Sequence, residues 1–451
     1  MKRSPNIVLI TVDCLGAKYI EKAKKTYKFF SKGTVFENAF AVAPWTPPSF
    51  KSMFQSVYPT MLQGYMKLSN KIPTFVEVLS QNGYYTVGIS QTPWLSRFFG
   101  YNRGFKLFRD FDIHNSMYLK IMKKIYHGFV NKYPKLWALY YLLSRYFISG
   151  CDTNVNKLVY KYLDVYQKEG EKRPLFLWIH YMSLHDPSIP SKNYVENFSI
   201  FKLMKMLEKY KKYTNSGRID VDGMLTTNDL DEFKKLYELS LTEVDDIIME
   251  LLEILDNSLS LDETIIILTA DHGQEFGEHG MFTHGIHLYD ELIKVPLMVR
   301  SPQSRDNVNR VSTLVSLIDL APTILEMASC RKPILYQGKS LYHLLTGEAN
   351  QHRSYVVSEE GKDTIVVSFV NYKFSKDRIK LAIRTESWKY IYNTLTGKEE
   401  LYYLPADPEE KNNLCKEAGD IASKFRNVRD RHLCRISDFD NLVLGSTKIG
   451  N

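Results

Sequence analysis

Residues 264–300 read TIIILTADHGQEFGEHGMFTHGIHLYDELIKVPLMVR, and this stretch decides the fold. It opens with a β-branched apolar run that predicts a buried parallel strand ending before Asp271. Four of the chain's 11 histidines follow, at His272, His279, His284 and His287. Open α/β sheets bind ligands beyond the carboxyl ends of their strands, where an aspartate beside an imidazole is typical of a metal site. Taken alone, Asp-His-Gly also fits an ordinary turn.

Other apolar runs extend this pattern through the chain. They predict buried strands at Asn6–Val12, Tyr85–Ser90, Leu175–Tyr181 and Pro296–Arg300. Helical patterns at 72–81 and 236–255 lie between them. Strands that alternate with helices predict an α/β fold with a mostly parallel central sheet and helices on both faces.

The pattern changes after about residue 345. Short strands are predicted at 355–358, 364–369, 381–384 and 390–393, with a closing helix near 418–433. We therefore expect a large α/β domain at 1–345 and a small antiparallel α+β subdomain at 346–451.

Composition limits the class of protein. Of 451 residues, 44% are hydrophobic and 24% charged, as in globular proteins. The net charge of +8 favours anionic substrates or surfaces without indicating nucleic acid. Five scattered cysteines without a CxxC pair argue against a disulfide framework and a thiolate zinc site. The apolar runs are too short for a signal or membrane segment, so we expect a cytoplasmic protein.

Two insertions interrupt the alternation of strands and helices. Residues 113–150 are basic and aromatic, and we interpret them as a helical insertion packed on the domain. The alternative is an interfacial surface that contacts the cytoplasmic side of a membrane. Residues 200–231 form a polar, lysine-rich insertion that fits a lid or flexible arm.

Polar side chains stand where the predicted strands end or a helix begins. They are Asp13, Thr46, His185, Asp271, His272 and His284. Thr46 followed by two prolines predicts a helix with Thr46 as its N-cap. The carboxylates of Asp13 and Asp271, the imidazole of His272 and the hydroxyl of Thr46 form a candidate ligand set. This set suits one Zn²⁺ or Mn²⁺ better than Ca²⁺ or Mg²⁺. His180 is interpreted as a core residue and His279 as a loop-stabilising one.

The chain resembles the sulfatase-like branch of the alkaline phosphatase superfamily over almost its whole length. The motifs that carry the resemblance are, in order, NIVLITVDCLGAKYI, APWTPPSFKSMFQSVYPT, FLWIHYMSLHDP, the opening stretch, SLIDLAPTILEMA, RTESWKYIYN and ELYYLPADPEEKNNL. The resemblance implies metal ligands at Asp13, Asp271 and His272. It also implies a metal-bound nucleophile at Thr46 and catalytic substrate contacts at His185 and His284.

Several positions depart from the family pattern. Sulfatases carry Cys or Ser in a C/S-x-P-x-R motif and convert it to formylglycine, whereas this chain has Thr46-Pro47-Pro48-Ser49-Phe50. Threonine is not converted in this way, and the motif's arginine is Phe50. Lys51, one position later, is the candidate to replace this arginine in binding the substrate. Cys14 stands where a second acidic residue is common, and no Asp-x-x-x-His pair shortly precedes Asp271, so one metal is expected.

These observations give three hypotheses. The first is a phosphoester hydrolase or transferase that uses Thr46 on a phosphodiester or passes a phospho-alcohol group to a glycan or lipid. The second is a sulfatase that works without formylglycine. The third is a non-catalytic protein that binds anionic glycans or lipids.

Overall fold

The computed structural model describes residues 4–63, 65–110, 133–147, 151–170, 172–196, 198–216, 220–302, 309–361 and 379–445. Its strands are β1 (Asn6–Val12), β2 (Thr34–Phe40), β3 (Tyr85–Ser90), β4 (Leu107–Arg109), β5 (Leu175–Tyr181), β6 (Thr264–Ala270), β7 (Glu275–Phe276), β8 (Phe282–Thr283), β9 (Lys294–Arg300), β10 (Asn309–Val311), β11 (Val315–Ser316), β12 (Val356–Gly361), β13 (Ile379–Arg384), β14 (Trp388–Asn393) and β15 (Glu399–Tyr403).

The larger sheet confirms the predicted mostly parallel arrangement. Its order is β10-β2-β9-β6-β1-β5-β3-β4, with β11 also paired to β2. β9 is antiparallel to both β2 and β6, and the other pairs are parallel. Strands β1, β5 and β6 lie side by side at its centre and are buried almost throughout, because their side chains are apolar on both faces.

The helices are α1 (Lys24–Phe30), α2 (Thr46–Gln55), α3 (Phe75–Gln81), α4 (Pro134–Phe147), α5 (Cys151–Lys168), α6 (Ile200–Asn215), α7 (Thr227–Ser258), α8 (Asp290–Ile293), α9 (Leu320–Met327), α10 (Tyr342–Leu345) and α11 (Gly419–Gly445). None of the described helices combines the length and apolar character needed to cross a membrane. Helix α2 begins at Thr46 itself, so the N-cap prediction is wrong. Trp45 occupies that position, and Thr46 lies within the first turn.

The C-terminal strands β12–β15 form the expected small antiparallel sheet. The predicted strand at 364–369 falls outside the described residues. Apolar residues of this sheet, among them Leu381 and Ile383, belong to the same core cluster as Ile7 of β1. The boundary at 345/346 remains a prediction.

The two insertions differ in how much of each is described. Of residues 113–150, only 133–147 are described; α4 exposes Leu136, Leu139 and Tyr140, and contact with a membrane remains a prediction. Helix α6, at the start of the second insertion, buries Leu203 and Leu207 in a second apolar cluster. This packing argues against a free arm at 200–215.

Candidate metal centre and active site

The loops after β1, β5, β6 and β8 and the start of α2 meet at the carboxyl edge of the central strands. In register, Val12 of β1 pairs with Ala270 of β6 and with Tyr181 of β5. Asp13 and Asp271 therefore leave neighbouring strands at the same level. The structure brings together Asp13, Thr46, His185, Asp271, His272 and His284, which are the predicted site residues apart from Lys51.

Thr46 lies among the predicted metal ligands. Its Oγ1 donates to Asp13 Oδ2 at 3.1 Å and lies 3.2 Å from His272 Nε2. His272 Nε2 is in turn 3.5 Å from Asp271 Oδ2 and 4.0 Å from Asp13 Oδ1. Helix α2 begins at Thr46, so the positive end of its dipole favours negative charge on this hydroxyl.

His272 is prepared to act as a neutral ligand. Its Nδ1 lies 2.8 Å from the Gly273 carbonyl, which accepts a hydrogen bond, so the ring proton belongs on Nδ1 and the lone pair on Nε2. Burial, together with nearby His284, lowers the pKa of His272 to about 3. Nε2 therefore points an available lone pair at Thr46 and the two carboxylates.

The two carboxylates also fit a cation. Asp13 and Asp271 are fully buried, and Asp271 Oδ2 has no hydrogen-bond partner among the described residues. Burial and the neighbouring Asp13 charge raise the pKa of Asp271. A divalent ion held by Asp13, Thr46, Asp271 and His272 would compensate this charge. The donor set, two carboxylates, one imidazole and one hydroxyl, fits the Zn²⁺ or Mn²⁺ that the sequence predicts.

His180 also contacts the site, beyond its predicted role in the core. The ring is fully buried, with Nδ1 3.0 Å from Thr11 Oγ1 and Nε2 3.4 Å from Asp13 Oδ2. Burial raises the pKa of Asp13, but the His180 contact and the nearby imidazoles outweigh it and hold this pKa below its usual range. His180 therefore orients Asp13. The alternation of residues along β5 predicted that His180 is buried, but it did not predict the contact with Asp13.

His185 and His284 lie next to each other, and both are partly exposed. Their ring centroids are 5.1 Å apart, and the His284 ring is 4.6 Å from that of His272. Sequence reasoning missed their neighbour Asp186. Its Oδ1 lies 3.2 Å from His284 Nδ1, and its Oδ2 accepts a hydrogen bond from Tyr210 of α6. The only sequence signal for Asp186 is its position directly after His185.

Lys51 does not join these residues. It is fully buried, and its Nζ donates to the carbonyls of Pro59 at 2.9 Å and Met61 at 2.7 Å. Burial lowers the pKa of Lys51 to about 7. Its placement contradicts the prediction that it binds substrate. His279, by contrast, pairs with Glu291 at 2.5 Å and stacks on Tyr289, which agrees with a role in holding the loop.

A mostly parallel α/β sheet with carboxylates, imidazoles and a hydroxyl at its carboxyl edge defines an alkaline phosphatase-like hydrolase. Residues 5–330 match the Sulfatase family, and residues 277–431 match "N-sulphoglucosamine sulphohydrolase, C-terminal". The chain belongs to the sulfatase family, within the alkaline phosphatase-like superfamily.

Two proteins with similar sequences are sulfatases by name. Arylsulfatase K of Xenopus laevis is 24% identical, and the match covers 90% of this chain and 76% of the relative. Delta 4,5-hexuronate-2-O-sulfatase of Bacteroides thetaiotaomicron is 23% identical over 97% of this chain and 90% of the relative.

Solved structures share the fold at lower identity. The phosphonate monoester hydrolase of Agrobacterium radiobacter superposes with a TM-score of 0.71, at 17% identity over 96% of each chain. This similarity shows the alkaline phosphatase-like fold of the chain.

Proposed function

We propose that this chain is a metal-dependent hydrolase that cleaves phosphoesters through a covalent intermediate on Thr46. The observation that carries the proposal is the position of Thr46 Oγ1, 3.1 Å from Asp13 Oδ2 and 3.2 Å from His272 Nε2. An alcohol at the start of a helix, among buried carboxylates and a neutral imidazole, is the arrangement of an activated nucleophile.

The chemistry requires the Thr46 hydroxyl to lose its proton. A bound Zn²⁺ or Mn²⁺ would lower the pKa of that hydroxyl. Thr46 Oγ1 would then form a bond to phosphorus as the bond to the leaving oxygen breaks. His185 and His284 would contact the phosphoryl oxygens and supply the proton that the leaving oxygen needs.

The second half of the reaction releases the phosphoryl group. Water attacks the phosphorus, the bond to Thr46 breaks, and the free threonine hydroxyl returns. If the substrate is a phosphodiester, the phosphorus on Thr46 still carries its second alcohol, and a glycan or lipid hydroxyl that replaces water receives this phospho-alcohol group as the bond to Thr46 breaks. The choice between hydrolase and transferase therefore depends on the acceptor alone.

A sulfate ester is the second candidate substrate, and the names of the relatives favour it. Sulfated glycans are the corresponding substrate class. The unmodified threonine favours a phosphoester instead, because a formylglycine hydrate has a second hydroxyl to expel sulfate and a threonine sulfate does not. A purely binding role is the third alternative, and the complete set of metal-ligating and nucleophilic groups argues against it.

The test compares aryl phosphate monoesters, aryl phosphate diesters, aryl phosphonate esters and aryl sulfates with metal-depleted enzyme. Zn²⁺, Mn²⁺, Mg²⁺ and Ca²⁺ are added in turn. We expect phosphorus ester turnover that EDTA abolishes and Zn²⁺ or Mn²⁺ restores. Turnover of sulfates alone would overturn the phosphoester proposal in favour of the second candidate.

Variants of Thr46 test the nucleophile. Thr46→Ala should lower kcat at least ~10³-fold, whereas Thr46→Ser keeps a hydroxyl at the same place and should retain part of the activity. A labelled phosphoryl group from the substrate should be recovered on the peptide that contains Thr46. Full activity of Thr46→Ala would contradict the assignment.

A further inference from the structure

Asp186 is a largely buried carboxylate that belongs neither to the proposed metal ligands nor to the proposed substrate contacts. It lies in the loop after β5, and its Oδ1 is 3.2 Å from Nδ1 of His284. The Asp186 side chain is 9% exposed and that of His284 is 15% exposed, so the pair is shielded from water. A carboxylate in such surroundings interacts with an imidazole N–H more strongly than it would in solution.

The ring proton of His284 belongs on Nδ1. Besides Asp186 Oδ1, Gln274 Oε1 lies 3.1 Å from this nitrogen, and both oxygens are acceptors. Cys14 Sγ is 3.6 Å away and directs its own S–H at Asp13, so the sulfur also offers no proton to the ring. With a proton held on Nδ1, Nε2 is the nitrogen of His284 that can exchange a proton with a substrate.

Nε2 of His284 is available for that exchange. It makes no hydrogen bond within the part of the chain that the structure describes, because the contacts of this ring are all made by Nδ1. The His284 ring lies 4.6 Å from the ring of His272, whose Nε2 is 3.2 Å from Thr46 Oγ1. His284 is therefore one ring away from the nucleophile, within reach of an ester whose phosphorus approaches Thr46.

Asp186 is itself held in place by α6. Tyr210 of this helix donates a hydrogen bond to Asp186 Oδ2, and its ring packs edge-on against Phe282 at 6.2 Å. Burial raises the pKa of Asp186, but the contacts with His284, His185 and Tyr210 outweigh it and hold this pKa below its usual range. The side chain is therefore an anion at neutral pH, with one oxygen fixed by Tyr210 and the other facing His284.

We propose that Asp186 is a positioning residue that orients His284 for proton transfer to the leaving oxygen. A carboxylate at Nδ1 fixes the ring and stabilises the imidazolium, which donates its Nε2 proton as the bond from phosphorus to the leaving oxygen breaks. The neutral ring then takes a proton from the water that attacks the intermediate. The proton that Thr46 released to solvent returns from solvent when its bond to phosphorus breaks. The inference rests on the proposed function, because it assigns one step of that reaction to one histidine.

The acidity of the leaving group tests this role. The substrates are phosphate esters of 2,4-dinitrophenol, 4-nitrophenol and phenol, which are less acidic in that order, and the least acidic leaving group needs the proton most. Asp186→Asn should therefore lower kcat/KM about 10²-fold for the phenyl ester and less than about 3-fold for the dinitrophenyl ester. Circular dichroism checks that the variant is folded. An equal loss for all three esters, or no loss for any, would overturn the inference.

A double variant separates positioning from general damage to the site. Because Asp186 acts through His284, adding Asp186→Asn to His284→Gln should lower kcat/KM for the phenyl ester by less than about 3-fold further. Tyr210→Phe keeps the carboxylate but frees it, and should give a smaller loss with the same dependence on the leaving group. The matched control is Asp231→Asn, which removes an exposed charge on α7 and should behave like the wild type. A full additional loss in the double variant would overturn the inference.

A nuclear magnetic resonance measurement on the protein without substrate separates this inference from the proposed function. Isotope labelling of the histidine ring nitrogens shows which nitrogen carries the proton, and His284→Gln identifies the signals of His284. We expect a proton on Nδ1 in the wild type and a shifted Nδ1 resonance in Asp186→Asn. An unchanged resonance would overturn this inference while phosphoester turnover, and with it the proposed function, stands. Turnover of aryl sulfates alone would overturn the proposed function, and sulfate esters of the same three phenols would then carry the leaving-group test.

Discussion

At the scale of single residues, the angular position of a side chain around the helix axis decides whether it reaches the site. Thr46 and Lys51 both lie in α2, five residues apart. At about 100° per residue, Lys51 is rotated about 140° from Thr46 around the helix axis. Thr46 therefore faces Asp13, while the Lys51 ammonium donates to the Pro59 and Met61 carbonyls. Because a shift of one position rotates a side chain by about 100°, Lys51 lies on a different face of α2 from Phe50, the position of the motif's arginine.

Replacement of Lys51 by methionine should alter the pH dependence of stability. Burial lowers the pKa of Lys51 from 10.5 to about 7, so above about pH 7 the unfolded chain binds more protons than the folded one. Stability from this group therefore rises with pH. Between about pH 7.5 and about pH 9, the wild type should gain roughly 1–2 kcal/mol of unfolding free energy relative to Lys51→Met, measured by urea unfolding.

The exposed Lys28 provides the control for this measurement. Lys28→Met should follow the wild-type pH dependence, because an exposed lysine keeps similar surroundings when the chain unfolds. If the unfolding free energies of the wild type and Lys51→Met changed equally with pH, the burial of Lys51 would not be the cause of the pH dependence.

At the scale of elements, the first turn of α5 holds the loop that carries His185 and Asp186. The carboxylate of Asp152 is buried and accepts hydrogen bonds from the backbone of Met182 at 3.0 Å and Ser183 at 2.8 Å. These two donors follow directly on β5. The helix thus fixes the path of the chain between a central strand and the candidate substrate contacts.

Asp152→Ala should weaken both the fold and the site. Two buried amide groups would lose their acceptor, which costs about 1–3 kcal/mol in unfolding free energy. We expect kcat/KM to fall as His185 loses its fixed position. The control is Asp164→Ala on the same helix, where an exposed pair with Lys168 is removed and stability should change by less than about 0.5 kcal/mol. Equal effects of the two substitutions would contradict this role for Asp152.

At the scale of the whole molecule, the small C-terminal sheet shares its core with the large sheet. Glu359 of β12 is fully buried and accepts hydrogen bonds from the backbone and hydroxyl of Thr60, while His432 of α11 lies 2.7 Å from its other oxygen. Asp440 of α11 accepts a hydrogen bond from the backbone N–H of Leu62. Polar contacts and the common apolar cluster therefore join the two parts.

We expect the chain to unfold in one transition. Calorimetry should give a ratio of calorimetric to van't Hoff enthalpy near one, because neither sheet keeps a complete core without the other. Glu359→Ala should lower Tm without splitting the transition, whereas a change at the exposed Glu386 should leave Tm unchanged. Two separable transitions would contradict the shared core.

The sequence alone determined the central strands and the edge of the sheet where the candidate site lies. Apolar, β-branched runs can only be buried, so β1, β5 and β6 were predictable. Polar residues at their carboxyl ends had to meet at one edge, which brought Asp13, Asp271 and His272 together. The family resemblance added Thr46 as the nucleophile.

The tertiary structure alone decided which side chains meet within that edge. Asp186 and His284 are far apart in the chain, and only the packing of two loops brings them to 3.2 Å. Helix α6 reaches Asp186 through Tyr210 because its apolar face is buried, a contact that its lysine-rich composition hides. The periodicity of apolar residues predicts which face of a helix or strand is buried. It does not predict which loops become neighbours, because that depends on how separate elements pack.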